Sequence, residues 1–425
     1  MKRTTINAAA AVALLAPAAA FAQSTNFQTI DTIPWPDSGR FPAYTGEALR
    51  PTEVWVQGGL LHDNNVLRLS SGAPNPTGVT SRSETIGRLG AGFRHEQLVA
   101  GRQRLRFEGR GDQYVFDKNS GLDHFSYGLR GEWLWELTND LSGAAGYERR
   151  KRLVDLAQLQ RPVKDMITED HAYANGAYRL GPSVRLRGGL DWTKARRSEA
   201  VTQADNIRAT SAIGGVDYVT TLGNAIGLEG RRTQGNAPVA QVVGGTTLVD
   251  NQFVEKEVAV VATLVAGTDV TGTGRLGRTN RTHTQFPARN FSGTTWQGTL
   301  GWTPLPKTGF DFTLYRAPRS IIDIAASYVI VSGASFGPRW APTEKLVFYA
   351  LYVRERQQFA GDPNIVLLGA RERDETIRTL RLAVGWEPKR FIEVAAGIDH
   401  GIRTSNTLFR DYDYNAVMAN VRYRF

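Results

Sequence analysis

The final segment, Asn415 to Phe425, alternates in twos and ends on an aromatic ring. Val417, Ala419, Val421, Tyr423 and Phe425 share one face, and Met418, Asn420, Arg422 and Arg424 share the other. Successive residues of a strand point to opposite sides of the sheet. One face therefore suits lipid and the other water, which is the division a barrel wall in a membrane requires. An edge strand of a soluble β-sandwich could alternate in the same way, so the rest of the chain has to decide.

The start of the chain reads as an export signal. Lys2 and Arg3 give a positive beginning, Ile6 to Ala20 is a small apolar run, and Ala20-Phe21-Ala22 offers a cleavage site before Gln23. Residues 1–22 are expected to be removed, leaving 403 residues and taking the formal charge from +10 to +8. No later stretch reaches the roughly 18–20 apolar residues of a membrane helix. The longest apolar runs, 258–266 and 324–331, are strand-sized. Helical membrane architectures are excluded, while a barrel stays open because its signal is alternation. The absence of cysteine removes thiolate metal sites and cysteine nucleophiles.

From about Glu53 the chain divides into alternating segments. Strands are predicted at 53–61, 84–96, 102–114, 123–137, 141–152, 168–180, 183–195, 206–219 and 223–233. A second set follows at 253–265, 268–279, 293–303, 307–316, 326–340, 344–356, 375–387, 391–403 and 413–425. The connections between them are alternately short and long. Thr138-Asn139-Asp140, Gly181-Pro182, 220–222, Gly267, 304–306, 341–343 and Pro388-Lys389 are short; 62–83, 153–167, 233–252 and 357–374 are long. Short periplasmic turns and long outer loops are the habit of outer-membrane barrels, and a sandwich has no reason to keep that rhythm.

Several segments declare their faces. Phe125, Tyr127, Leu129, Trp133, Trp135 and Leu137 oppose Ser126, Arg130, Glu132 and Glu136. Val184, Leu186, Leu190 and Trp192 oppose Arg185, Arg187 and Asp191, and Leu105 and Phe107 oppose Arg104, Arg106 and Glu108. A charge facing lipid at mid-depth costs roughly 2–4 kcal/mol, so these charges are expected to line a lumen. Segments 168–180 and 344–356 leave their faces open. Trp302-Thr303-Pro304, Trp340-Ala341-Pro342 and Trp386-Glu387-Pro388 form a weak repeat, each expected to end a descending strand at a turn. With Trp133, Trp135 and Phe425 they suggest an aromatic girdle at the inner membrane–water boundary. Residues 23–50, interrupted by Pro34, Pro36 and Pro42, read as a periplasmic lead or partial plug; residues 51–425 read as the barrel.

The basic residues are 42 arginines and 9 lysines. Arg149 to Arg152, Arg196-Arg197, Arg231-Arg232, Arg278, Arg316, Arg354, Arg356 and Arg403 gather toward the long-loop side as a collar. Outward-facing members would hold lipopolysaccharide phosphates. Inward-facing members, with Arg104, Arg106, Arg130, Arg185, Arg187, Arg422 and Arg424 lower down, would favour an anionic or hydroxyl-rich solute. Glu108, Glu132, Glu136 and Asp191 could pair with them, so a plain anion filter does not follow. Catalytic signals are missing: six scattered histidines make no HExxH pattern, and there is no Gly-x-Ser-x-Gly elbow. No catalytic residue, metal or cofactor is expected, and no nucleic acid. His62-Asp63-Asn64-Asn65 could bind calcium in a loop, but a turn built on Asp and Asn side chains is the stronger reading.

The run from Val54 to Leu69, with its core Asp63-Asn64-Asn65-Val66-Leu67-Arg68, resembles the first strand and loop of the EpsL-type exosortase-associated outer-membrane proteins, a β-barrel porin family of exopolysaccharide gene clusters. Ser83-Glu84-Thr85-Ile86, the Gly101-Arg-Gln-Arg104 run, the Trp-x-Pro turns and the terminal Phe425 are similar as well, whereas His62 stands where an acidic residue is expected. The resemblance implies an outer-membrane barrel concerned with exopolysaccharide export, with periplasmic export partners and no catalytic residues. The terminal strand suits recognition by barrel-assembly machinery.

The reading is an all-β, up-and-down antiparallel barrel of 18 strands, with 16 as the next count, in the outer membrane of a Gram-negative bacterium. Export of a polysaccharide is the expected function. A passive porin for small anionic solutes, and a structural barrel anchoring a synthesis complex, are the alternatives.

Overall fold

The structure, a computed structural model, describes residues 51–79, 81–239, 241–243, 247–249, 252–285, 287–323, 326–360 and 372–425. The signal peptide and the lead lie outside the described residues. The wall strands are β1 (Thr52–Asp63), β2 (Glu84–Ala100), β3 (Gln103–Phe116), β4 (His124–Glu136), β5 (Leu141–Leu153), β6 (Met166–Leu180), β7 (Val184–Arg197), β8 (Ile207–Val219) and β9 (Ala225–Asn236). A small hairpin, β10 (Gln241–Val243) with β11 (Thr247–Val249), rises from the loop that follows. The wall resumes with β12 (Phe253–Ala266), β13 (Val270–His283), β14 (Phe291–Leu305), β15 (Thr308–Asp323) and β16 (Ala326–Thr343). It ends with β17 (Leu346–Ala360), β18 (Asp374–Lys389), β19 (Ile392–Ser405) and β20 (Tyr412–Arg424).

Each wall strand pairs antiparallel with the next, β9 pairing with β12 across the hairpin. The last strand returns to the first, with Trp55 opposite Arg424 and Asp63 opposite Ala416. The sheet of 18 strands is closed. Closure leaves no row of unpaired backbone groups, the condition for backbone to sit in hydrocarbon. At this strand number the interior is wider than side chains can fill.

Parity sorts the two faces. On β20 the even residues Tyr414, Ala416, Met418, Asn420 and Arg422 are buried, while Val417, Val421, Tyr423 and Phe425 are exposed. Leu60, Leu89, Leu129, Leu190, Leu228, Val258, Leu276 and Leu380 continue the exposed apolar band around the wall. A sheet whose outward face is apolar all round is built for lipid contact. The chain is an outer-membrane β-barrel. The rings of Trp133, Trp302, Trp340, Trp386 and Phe425 are exposed at the short-turn rim, and all but Trp386 stand beside other aromatics. Trp302 lies 5.4 Å from Phe310, Trp340 5.4 Å from Phe348, Trp133 6.4 Å from Trp135 and Tyr423 5.0 Å from Phe425.

The Trp-x-Pro repeats do not end their strands. In β14, β16 and β18 the ladder slips by one residue at the proline and then resumes, Leu305 meeting Thr308, Thr343 meeting Leu346, and Lys389 meeting Ile392. Proline has no N–H to give, so the strand bulges past it and continues. The residue before each proline donates to the preceding turn: Thr303 N to Asp269 O at 2.7 Å, Ala341 N to Lys307 O at 2.8 Å and Glu387 N to Lys345 O at 2.8 Å. The turns therefore fall about two residues later than the sequence reading put them.

Candidate functional site: the inner wall and the mouth

The inner wall is charged, and register decides which charges reach it. Arg130 opposes Glu148, Arg150 opposes Glu169, and Arg231 opposes Glu257, all on the lumen face. The arginine runs of the collar are consequently split. Arg150, Arg152, Arg197, Arg231 and Arg403 lie inward; Arg149, Lys151, Arg196, Arg232, Arg278, Arg316, Arg354 and Arg356 lie outward. The two segments left open are settled by the same rule. His171 and Tyr173 of β6 and Tyr349 of β17 point inward; Ala172, Tyr178 and Tyr352 point outward.

All eight residues predicted to line the lumen are on the inner face, and each is held by a neighbour. Arg104 and Arg106 reach Glu96 at 3.5 and 2.8 Å, and Arg106 also approaches Glu132 at 3.6 Å. Arg130 bonds Glu132 at 3.1 Å, and the Tyr173 hydroxyl donates to the same carboxylate. Arg422 donates to Gln57 Oε1 at 2.9 Å and sits 5.4 Å over the Trp55 ring. That ring lies flat on Gly92, where a Cβ would come within 2.4 Å of it. Arg424 bridges Glu393 at 2.9 Å and Glu387 at 3.0 Å.

A connected array runs across six neighbouring strands, β7 to β9 and β12 to β14. Asp217 accepts from Arg185 Nη2 at 2.7 Å and from Arg187 Nε at 2.7 Å. Arg187 Nη1 donates to Glu229 at 2.7 Å, and Arg275 Nη1 donates to the other Glu229 oxygen at 2.6 Å. Arg275 Nη2 donates to Glu257 at 2.7 Å, and Thr295 Oγ1 donates to the same carboxylate at 3.0 Å. Arg231 stands 3.8 Å from both Glu229 and Glu257, with Nε and Nη2 buried and lacking a hydrogen-bond partner. This array holds four guanidinium groups against three carboxylates, leaving one positive charge uncompensated. Sequence reading found Arg185 and Arg187 but not Glu229, Glu257 or Arg275, whose faces were not assigned there.

The mouth is shaped by loop 64–83. Val66, Leu67 and Leu69 are buried and join an apolar cluster on the inner face made by Leu61, Ile86, Phe116, Tyr412, Tyr414 and Met418. The loop therefore folds into the barrel and not over solvent. Asp63 accepts from Asn65 N at 2.8 Å, closing the turn expected of Asp and Asn. Arg68 adopts φ 55°, pairs with Asp63 at 2.7 Å and lies 3.5 Å over the Tyr414 ring. Burial disfavours the Arg68 charge, but Asp63 together with Tyr414 and Tyr412 outweighs it and raises the guanidinium above its ordinary pKa. Asn65 Nδ2 donates to Leu69 O at 2.8 Å and Asp413 O at 2.9 Å.

A second loop meets the first. Asp155 accepts from Ala157 N at 2.8 Å and caps the one-turn helix α1 (Leu156–Leu159). Leu156 and Ala157 enter the same apolar cluster, and Gln160 Nε2 donates to Arg68 O at 2.8 Å. Two fully buried carboxylates tie the remaining rim: Glu84 accepts from Asn119 N at 3.0 Å, and Asp165 accepts from Arg197 Nε and Thr202 Oγ1 at 2.8 Å each. Part of the opening, from β20 round to β6, is thus closed by pinned loops.

No protein-family model matches the sequence, and no curated protein matches it. Solved structures do resemble the fold. OpdK of Pseudomonas aeruginosa, solved with vanillate, is 10% identical with a TM-score of 0.47, covering 88% of this chain and 99% of its own. OpdF of Pseudomonas aeruginosa is 10% identical with a TM-score of 0.48, covering 88% and 98%. A BenF-like porin from Pseudomonas fluorescens Pf-5 is 10% identical with a TM-score of 0.46, covering 89% and 100%.

Proposed function

We propose that the protein is a passive porin for small anionic solutes, without enzymatic activity. The observation that carries this reading is the array Arg185–Asp217–Arg187–Glu229–Arg275–Glu257 with Arg231. Its guanidinium groups are fixed on the inner face and outnumber its carboxylates four to three, which leaves one surplus positive charge. A carboxylate or phosphate passing along it exchanges with wall carboxylates of the same chemistry. Contacts of that kind are several, weak and reversible, which conduction requires. Guanidinium is also the cation whose planar donors best match such groups.

The pinned mouth favours solutes that fit the remaining opening over a continuous polymer. Exopolysaccharide export, the function implied by the resemblance at residues 54–69, would require loops 64–83 and 154–165 to separate at the Gln160–Arg68 bond. Planar-bilayer recording tests the choice. Anion-selective conductance that passes small carboxylates, with no block by long anionic glycans, is the expected result. Block by such glycans but not by their monosaccharides would replace this reading with export, and a closed barrel that captures periplasmic proteins would replace it with an anchoring role.

A further inference from the structure

The outer face carries a second set of charges that the passage does not use. On β7 the outward row reads Leu186, Leu190 and Trp192, then Lys194 and Arg196 toward the long-loop rim. On β9 it reads Ile226 and Leu228, then Arg232; on β13, Leu276 and then Arg278; on β17, Phe348 and Tyr352, then Arg354 and Arg356. Cations therefore stand directly above the apolar band, at the depth where lipid headgroups begin.

Their neighbours make the arrangement costly in isolation. Lys194 is directly opposite Arg208, Arg232 opposite Lys256, and Arg354 opposite Arg378. Like charges in facing cross-strand positions destabilise a sheet. None of these six has an ion-pair partner among the described residues, and Arg208, Arg232, Lys256, Arg354 and Arg378 are exposed. Among the described residues two outward carboxylates interrupt the belt: Asp170 lies 3.7 Å from Arg149 and 3.6 Å from Arg196, and Asp374 lies 2.5 Å from Arg356. The belt is also one-sided. It spans β5 to β18, while the outward rows of β19, β20 and β1 to β4 carry no Lys or Arg and show His62, Thr85, His400 and Asn415 at that height.

We propose that this arc binds phosphate-bearing lipid headgroups of the outer leaflet, each phosphate lying between facing cations and turning their repulsion into shared hydrogen bonding, and that the seam from β19 to β4 does not. Two phosphates on one headgroup would engage neighbouring pairs along the inclined rows.

The test compares the unaltered barrel with a triple variant, Arg232→Ala, Lys256→Ala and Arg278→Ala, none of which faces the lumen. The probe is a fluorescent bisphosphorylated lipid A titrated into phosphatidylcholine vesicles containing each protein, with unchanged ion conductance confirming that the variant is folded. A basic side chain at a membrane surface is worth about 1 kcal/mol, so the β9 to β13 stretch should bind on the order of a hundredfold more weakly and the barrel should hold fewer lipids, the pairs Lys194–Arg208 and Arg354–Arg378 being left in place. Inorganic phosphate should fail to displace the lipid, and His62→Ala with His400→Ala in the seam should leave binding unaltered. Equal binding by the triple variant, displacement by inorganic phosphate, or loss on changing the seam would each overturn the proposal. If the triple variant does not insert, salt decides: binding by the unaltered barrel must weaken between low and high ionic strength, and an affinity indifferent to salt would end the idea.

Discussion

The Arg68 guanidinium lies 3.5 Å over the ring of Tyr414, a residue far along the chain on the last strand, and is closed from the other side by Asp63 at 2.7 Å. This contact fastens the first loop to the inner wall where the sheet closes on itself. Breaking one side of a buried pair costs about 3–5 kcal/mol, because the other charge is left alone. Arg68→Ala should therefore release loop 64–83 and raise single-channel conductance, with added flicker. A conductance equal to that of the unaltered protein would show that the loop does not limit the passage.

Glu229 joins Arg187 and Arg275 on the lumen face. Glu229→Gln keeps the shape and adds one net positive charge. One unit charge acting at ~7 Å through water favours chloride and disfavours potassium by about 0.6 kcal/mol each, so chloride-over-potassium permeability should rise roughly sevenfold. Arg275→Ala should move it the other way. Reversal potentials in a salt gradient check both, and an unmoved pair of values would remove this array from the conduction path.

The outer band sets a depth-dependent rule. Leu228 faces outward in the apolar zone, and Gln234 faces outward near the long-loop rim. Leu228→Arg should cost about 2–4 kcal/mol and Gln234→Arg about 0–1 kcal/mol. Urea titration in lipid vesicles, read by the gel mobility of the folded barrel, measures the two. Equal costs would place one of them at the wrong depth.

Asp155 lies in the second mouth loop, outside the wall strands, and burial raises its carboxyl above the usual range despite the bond from Ala157 N. A raised acid holds its proton more tightly folded than unfolded. Its contribution to loop stability is therefore complete below the ordinary carboxylate range and is lost as pH climbs through the raised value. Asp155→Asn keeps the cap acceptor without the buried charge, so at neutral pH it should slow amide exchange in residues 154–165. Asp155→Ala, which loses the cap worth about 1 kcal/mol, should speed it. The reverse order would mean that the ionised carboxylate is what holds the loop.

Much of the wall was legible because alternation is local. The faces of β4 and β7 follow from residues two apart, and the final strand announces itself through Val417, Val421, Tyr423 and Phe425. The Trp-x-Pro segments misled because proline's missing N–H signals an interruption without saying whether the ladder resumes; here it does, one residue later. The collar could not be sorted from Arg149-Arg150-Lys151-Arg152 alone, since near the rim both faces tolerate charge and polarity no longer marks the inside. The mouth was hidden for a different reason. Val66, Leu67 and Leu69 show no strand period, and their burial depends on Tyr412, Tyr414 and Met418, which only closure of the sheet brings to them. Leu67, fully buried in a loop otherwise rich in polar residues, was the clue that the sequence offered.

Among the described strands, every cation aimed into the interior above the turns is an arginine, whereas Lys151, Lys194 and Lys256 all point outward. Guanidinium keeps its proton in any medium a bacterium meets, so acidification can discharge only the carboxylates and leaves the bore progressively more attractive to anions. On the inner face of the described wall strands, above the turns, amine-directed reagents meet no lysine, which gives a chemist a way to decorate the outside of the wall while leaving its inner face untouched.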